Sequence, residues 1–214
     1  MFVRDRMSPN PITISPKATI AEAVEMMKKK QIRRIPVVEG ERLVGFITDK
    51  DLSEASPSTA TTLSIFEINY LLAKTKVSDI LKKDRPTYTI HPDATVEECA
   101  LLMNDLKIYG VPVVEDNNLV GIITETDIFN AFIDIMGIRS PGVRIHLHVP
   151  DRPGMVADVT RIIADHGANI SHIVSDSNDD GTMGLVIRLQ VADCREIVKD
   201  LKEHGFQVIS ATRK

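Results

Sequence analysis

The sequence has little of several residue types whose abundance would place it in a special class. Among its 214 residues there is no tryptophan, aromatic residues make up 4%, and only 2 residues are cysteine. Two isolated cysteines, Cys99 and Cys194, do not make the disulfide framework of a small secreted domain, and we expect both to be buried, inert thiols. No apolar run is long enough to span a bilayer, and the N-terminal residues lack the apolar core of a signal peptide. We therefore expect a cytoplasmic protein.

The chain also lacks an excess of charge of either sign. Its formal net charge is −4, with 26% charged and 43% hydrophobic residues, as is ordinary for a globular protein. General nucleic-acid binding is not expected, because it normally requires a basic surface. The pairs His146/His148 and His166/His172 have no third ligand placed with them, so we expect no metal site. No Ser-His-Asp or Cys-His arrangement stands out, and we expect no catalytic residues.

The sequence contains an internal repeat. Residues 45–51 (GFITDKD) return as residues 121–127 (GIITETD), and the offset of 121 − 45 = 76 holds without a gap over residues 14–52. Each copy reads as a capping box, an amphipathic helix, a strand-turn-strand hairpin, and a second helix beginning at Thr-x-x-Asp. We call residues 14–52 the first copy and residues 90–128 the second copy. The stripes expected to be buried on the two amphipathic helices are Ile20, Ala23, Val24 and Met27, and Val96, Cys99, Ala100 and Met103.

The strand-to-helix junction of each copy has residue types that suit a nucleotide. A helix N-terminus presents free backbone N–H groups to a phosphate, and the hydroxyl of Thr48 or Thr124 can add a donor. The carboxylates of Asp51 and Asp127 can each accept the paired hydroxyls of a ribose. Ordinary helix capping by the same side chains is the alternative.

On these residues the two copies resemble a pair of CBS domains, a Bateman module. The hairpin prolines Pro36 and Pro112 and two complete Gly-h-h-Thr-x-x-Asp ends, where h is apolar, carry the resemblance. It implies an α/β pair with pseudo-twofold symmetry that binds adenine nucleotides (AMP, ADP or ATP) as regulatory ligands in two clefts. The nucleotide sites that it implies are Thr13, Ile14, Ile35, Thr48 and Asp51 for one cleft, and Thr89, Ile90, Val111, Thr124 and Asp127 for the other.

The two clefts are expected to differ in charge. Around the first lie Arg33, Arg34 and Lys50, while the matching positions around the second are Tyr109, Gly110 and Thr126. Cationic side chains strengthen phosphate binding through charge-assisted hydrogen bonds. We expect the first copy to provide most of the affinity for polyphosphates, unless Arg33 and Arg34 are a solvated pair.

The C-terminal third has a different pattern. Residues 143–149 alternate strictly between apolar and polar, and the signals that follow complete a βαββαβ order. The runs Asp151-Arg152-Pro153-Gly154 and Gly167-Ala168-Asn169-Ile170 resemble an ACT domain, a ferredoxin-like module. This resemblance implies side-by-side pairing and an amino acid or small acid as ligand. The residues that would bind it are Asp151, Gly154, Asn169 and Ile170; a domain used only for dimerisation is the alternative.

We therefore expect five segments: a first CBS domain (1–55), a linker with a helix (56–76), a second CBS domain (77–136), a short linker (137–142) and an ACT domain (143–214). This order resembles the acetoin-utilisation regulatory proteins over essentially the whole chain. We expect a homodimeric, non-catalytic sensor of adenine nucleotides that signals to a metabolic partner protein. A structural scaffold with degenerate pockets and a nucleotide-processing enzyme remain as alternatives.

Overall fold

The computed structural model describes residues 1–56, 64–81 and 86–213. The chain divides into two compact units, Met1–Phe129 and Asn130–Lys214. Most of the polar linker predicted from residue 56 onward lies outside the described residues. In the described ranges no helix is both long and apolar enough to cross a membrane.

The first unit contains two copies of one arrangement of helices and strands, as the sequence repeat predicts. It begins with a 3-10 turn at Val3–Asp5, and its regular elements follow in this order: β1 (Ser8–Pro9), α1 (Ile20–Lys30), β2 (Arg34–Glu39), β3 (Arg42–Thr48), α2 (Asp49–Ala55), α3 (Ile65–Lys74), α4 (Val77–Ile80), α5 (Val96–Leu106), β4 (Gly110–Glu115), β5 (Asn118–Thr124) and α6 (Glu125–Ile135).

The two hairpins, β2–β3 and β4–β5, have the same register and the same irregularity. Each shifts register once, between Val37 and Val38 in the first copy and between the matching residues of the second. The second hairpin turns on Asp116 and Asn117, which both have positive φ, as a two-residue hairpin loop requires. Before α1, Ile14 forms an isolated parallel bridge with Val37 of β2.

The segment that precedes each copy completes the other copy. The backbone N–H of Val3 donates to the carbonyl of Ala94 at 2.8 Å, and β1 pairs with β5 of the second copy. In return, the N–H of Val77 donates to the carbonyl of Ala18 at 2.8 Å. Val3 and Val77 are both fully buried, and Val77 belongs to the core of the first copy. Residues 1–9 and 76–81 are therefore exchanged between the copies.

This exchange explains the glycine that opens each repeated motif. A Cβ at Gly45 would lie 2.7 Å from Cδ2 of Leu81, and a Cβ at Gly121 would lie 2.5 Å from Sδ of Met7. At both positions a side chain of the segment exchanged from the other copy lies close against the strand. The glycines serve packing between copies.

The buried stripe of α1 is narrower than predicted. Ile20, Ala23 and Met27 are buried, but Val24 is 41% exposed. Its side chain lines an open groove between α1 and α2, so the prediction for Val24 is wrong.

The second unit has the predicted βαββαβ order: β6 (Val143–Pro150), α7 (Met155–Asp165), β7 (Ile170–Ser177), β8 (Thr182–Leu189), α8 (Arg195–Glu203) and β9 (Gln207–Arg213). The strands form an antiparallel sheet in the order β7-β8-β6-β9, which is the ferredoxin-like arrangement. Alternate residues of β6 and β8 pack with residues of the two helices, among them Ile163 and Leu201, in a single core. The intervening residues lie on the opposite face of the sheet.

Candidate functional site

The repeated Thr-x-x-Asp motif forms a capping box in each copy. The Thr48 hydroxyl donates to Oδ2 of Asp51 at 2.7 Å, the Thr48 N–H donates to the same oxygen at 2.9 Å, and the Asp51 N–H donates back to the hydroxyl at 3.2 Å. Thr124 and Asp127 repeat these bonds at 2.6, 2.8 and 3.4 Å. The capping alternative therefore describes the geometry of both motifs. The threonine hydroxyl that was expected to donate to a phosphate donates to the aspartate instead.

The free N–H groups expected at the start of α2 are not there. The amide of Asp49 donates to the carbonyl of Arg33 at 2.9 Å, and the amide of Lys50 donates to Oδ1 of Asp49 at 2.9 Å. The Asp51 amide is held by the cap. That expectation is wrong for α2, because the preceding segment and the capping side chains already satisfy its first turn. A phosphate at this junction would have to be bound by side chains.

Beside this cap opens a cleft of about 1040 Å³, lined by both copies. The first copy contributes Thr48, Lys50 and Asp51 from the junction together with β3 residues and Arg34. The second copy adds Lys107 and Tyr109, and the segment just before it adds Thr87 and Tyr88. The first junction thus faces residues of the second copy.

Three cationic side chains line the cleft: Arg34, Lys50 and Lys107. The Arg34 guanidinium lies 5.8 Å from the centre of the Tyr109 ring, a cation–π distance. Burial lowers the pKa of Arg34, and the nearby carboxylate of Asp49 opposes that shift. A Cβ at Gly110 would lie 3.0 Å from Cδ of Arg34, so this glycine makes room for the arginine.

Of the residues predicted for the nucleotide sites, five line this cleft: Arg34, Thr48, Lys50, Asp51 and Tyr109. Tyr109, which the sequence places beside the other cleft, lines this one. Arg33 instead lines the groove between α1 and α2. The apolar candidates Ile14, Ile35 and Val111 are buried in the cores, and Ile90 forms a bridge with Val113.

Four further candidates lie outside this cleft. Thr13 is half-buried next to Ile14, and Thr89 is exposed, just after Tyr88. Thr124 stands with Asp127 at the second junction. Sequence reasoning missed Tyr88 and Lys107. The signal for Lys107 was its place directly after α5, where it adopts the left-handed conformation that ends the helix.

The predicted ACT ligand residues lie at opposite ends of the second sheet, so the structure does not bring them together. Asp151 follows Pro150, which pairs with Thr182, whereas Ile170 pairs with Leu189 at the other end. Gly154 has φ 82° and an open space where a side chain would be. Asp151 is exposed, and its neighbour Arg152 is paired with Asp158 at 2.8 Å. The amide group of Asn169 donates to Oε1 of Gln190 at 2.6 Å. Ile170 is half-buried at the start of β7.

The two thiols differ in their environments. Cys99 is fully buried, and that burial raises its pKa to about 11. Cys194 is half-buried, and its pKa is raised first by burial and then by the charge of Asp193. Across the described ranges, no three His, Cys, Asp or Glu side chains are grouped to hold a metal ion.

Comparison with known proteins identifies the modules. The CBS domain model matches residues 3–58 and 77–134, which together make up more than half of the chain, and the ACT domain model matches residues 143–206.

Three solved structures resemble the CBS pair. An acetoin-utilisation protein (AcuB) from Vibrio cholerae is 28% identical with a TM-score of 0.54, and the match covers 65% of this chain and 95% of that one. The CBS pair of protein MJ0100, in complex with 5′-methylthioadenosine and S-adenosyl-L-methionine, is 33% identical with a TM-score of 0.50, covering 62% and 95%. CBSX2 in complex with AMP is 26% identical with a TM-score of 0.51, covering 63% and 97%.

The paired hairpins, the repeated Thr-x-x-Asp caps and the βαββαβ module agree with these matches along the chain. The protein therefore belongs to the CBS-domain family, with a pair of CBS domains followed by an ACT domain.

Proposed function

We propose that this protein is a regulatory sensor that binds an adenine nucleotide in the cleft beside Asp51. The observation that carries the proposal is the composition of that cleft, which brings the Asp51 cap together with three cationic side chains and two tyrosines. Asp49 and Glu54 also line the cleft, and Lys50 lies 3.8 Å from Glu54. Its volume of about 1040 Å³ is ample for a nucleotide. Two of the similar structures hold ligands that share an adenosine group, which supports the same ligand class here.

Each part of a nucleotide has a matching group in the cleft. Arg34, Lys50 and Lys107 supply positive charge for phosphates, which the occupied amides of α2 do not. The exposed rings of Tyr88 and Tyr109 offer flat apolar surface to a base. Asp51 is the acceptor for ribose hydroxyls.

The second junction is poorer in positive charge. At the offset of 76 residues, Lys50 is matched by Thr126, Lys107 by Gln31 and Arg34 by Gly110. We propose that phosphorylated nucleotides prefer the cleft at Asp51 over the site at Asp127.

Binding regulates only if the ligand favours one arrangement of the protein over another, and such coupling must be reciprocal. We propose that the nucleotide changes binding to a metabolic partner protein without being consumed. Homodimerisation, a cytoplasmic location and an acetoin-utilisation role are part of this proposal, and the similarity to AcuB supports the last. The ACT domain is proposed to bind a small acid or to mediate pairing.

Calorimetric titration with AMP, ADP, ATP and S-adenosylmethionine tests the proposal. The matched variants are Asp51→Asn and Asp127→Asn, which alter equivalent caps, and Lys107→Gln, which gives the residue found at the matching position 31. We expect Asp51→Asn and Lys107→Gln to weaken AMP binding about tenfold or more. We expect Asp127→Asn to change it little. A ligand at 100 times its Kd should also stabilise the native protein by about 2.7 kcal/mol.

The alternatives give different outcomes. If none of the four ligands binds or raises the midpoint of thermal unfolding, the CBS pair is a scaffold. If nucleotide incubated with the protein is converted to product, the protein is an enzyme. Tight AMP binding with AMP recovered unchanged supports a sensor.

A further inference from the structure

The open face of the ACT sheet carries two arginines directly opposite each other. Arg144 on β6 and Arg188 on β8 are register partners in the antiparallel ladder. Thr212 on β9 lies opposite Arg144, and His172 on β7 lies opposite Arg188. One row across all four strands is therefore built from groups that donate hydrogen bonds.

Two guanidinium groups in this position repel each other. Like charges directly opposite on neighbouring strands destabilise a sheet. Burial lowers the pKa of Arg188, and the positive charge of Arg144 adds to that shift. In the described part of the second unit no carboxylate is paired with either group, and Arg188 donates from Nε to the carbonyl of Met136 at 2.9 Å.

Other arginines of the same unit are neutralised. Arg139, Arg152 and Arg195 each form an ion pair with an aspartate. The absence of such a partner in the described surroundings of Arg144 and Arg188 leaves a local excess of positive charge. An anion at this position would remove the repulsion and accept donors from both side chains.

The turn that follows α6 lies against one side of the arginine pair. Gly137 in this turn has φ 63° and lies against the His172 ring so closely that a Cβ there would overlap it. The carbonyl of Met136 in the same turn accepts the hydrogen bond from Nε of Arg188, and this bond fixes the direction of that guanidinium. The other nitrogens of Arg188 and the whole Arg144 guanidinium remain for a ligand.

We propose that Arg144 and Arg188 form a binding site for a small doubly charged oxyanion, a dicarboxylate or a phosphate, on the open face of the ACT sheet. This site lies at the end of the sheet away from Asp151 and Gly154, where the loop supplies an acidic group and its arginine is already paired with Asp158. The open-face site therefore suits an acid better than the position predicted from the ACT motif.

The test is an NMR titration of the full chain, following backbone amide shifts. The probes are inorganic phosphate and succinate, with acetate as a singly charged comparison, all at constant ionic strength set with chloride. We expect saturable shifts at residues 144, 188 and 212 with both dianions and weaker binding of acetate. The tighter of the two dianions identifies the kind of ligand.

Matched variants separate a site from general charge attraction. Arg144→Gln removes a side chain without a described hydrogen bond, so the fold should persist, and it should weaken dianion binding about tenfold or more. Arg161→Gln removes the same charge from an exposed position on α7 and should leave the affinity unchanged. Arg188→Gln is a second variant and should act like Arg144→Gln.

Three results would overturn the proposal. Shifts confined to the cleft around residues 48–51 would place the anion in the CBS pair. Equal weakening by Arg144→Gln and Arg161→Gln would indicate charge screening only. Shifts that do not saturate with either dianion would mean that no site exists on this face.

Discussion

Replacing Gly121 with alanine should destabilise the CBS pair, because the new methyl group would meet the exchanged segment. A Cβ at this position lies 2.5 Å from Sδ of Met7 and 3.1 Å from the backbone oxygen of Ser8. The Met7 side chain can turn away. The Ser8 carbonyl cannot move as easily, because β1 is itself paired with β5 at this point.

The equivalent change at Gly45 provides the control. A Cβ there meets only the Leu81 side chain, 2.7 Å from Cδ2, and that side chain is flexible. Overpacking typically costs about 1–3 kcal/mol, while replacing glycine by alanine gains about 0.4–1 kcal/mol through the unfolded chain. We expect a net loss of about 1–2 kcal/mol for Gly121→Ala and a change near zero for Gly45→Ala.

Urea unfolding followed by circular dichroism measures both changes, since the chain has no tryptophan for fluorescence. In a Met7→Ala background, part of the cost of Gly121→Ala should disappear, which a double-mutant cycle detects. The reasoning would be refuted if Gly121→Ala were no more destabilising than Gly45→Ala.

Two further predictions concern titrating groups. Because burial raises the pKa of Cys99 to about 11, a thiol reagent at pH 8 should modify Cys194 first and reach Cys99 only after unfolding, as peptide mass spectrometry would report; equal rates would contradict this. The backbone carbonyl of Asp200, which accepts from the His204 ring, raises the pKa of His204, and so do the Asp200 and Glu203 carboxylates. The folded protein therefore favours the protonated imidazole. The resulting stability is present below the ordinary histidine pKa and is lost as pH rises through the raised value. His204→Gln should reduce the fall in the urea midpoint as the pH rises from the ordinary histidine pKa through the raised value, and an unchanged fall would exclude this role.

Local features of the fold could be predicted from the sequence because their causes lie within a few residues. The capping box at Thr19 is complete within four residues, and the alternation of residues 143–149 reports directly which side of β6 is buried. The turn at Asp116 and Asn117 follows from their tolerance of positive φ. Repetition of these signals at one offset then indicated two equivalent copies.

The pairing between the copies could not be predicted in the same way. A repeat specifies which segments are alike, but it does not specify whether a segment packs on its own copy or on the other. For this reason the sequence does not predict that Tyr109 and Lys107 line the cleft at Asp51. The prediction of free amides at the start of α2 is wrong for a related reason. The carbonyl of Arg33, which accepts a hydrogen bond from one of these amides, belongs to the segment just before β2.

The exchange of residues 1–9 and 76–81 also bears on how the chain folds as it is made. The first copy can close its core only after Val77 has been synthesised, and the N-terminal residues stay unpaired until β5 exists. Contacts between such distant positions slow folding, because a long loop must close before they form. Neither CBS copy expressed alone would have a complete core, since each would leave a gap where Val3 or Val77 belongs. The pair should therefore fold and unfold as one cooperative unit rather than as two independent domains.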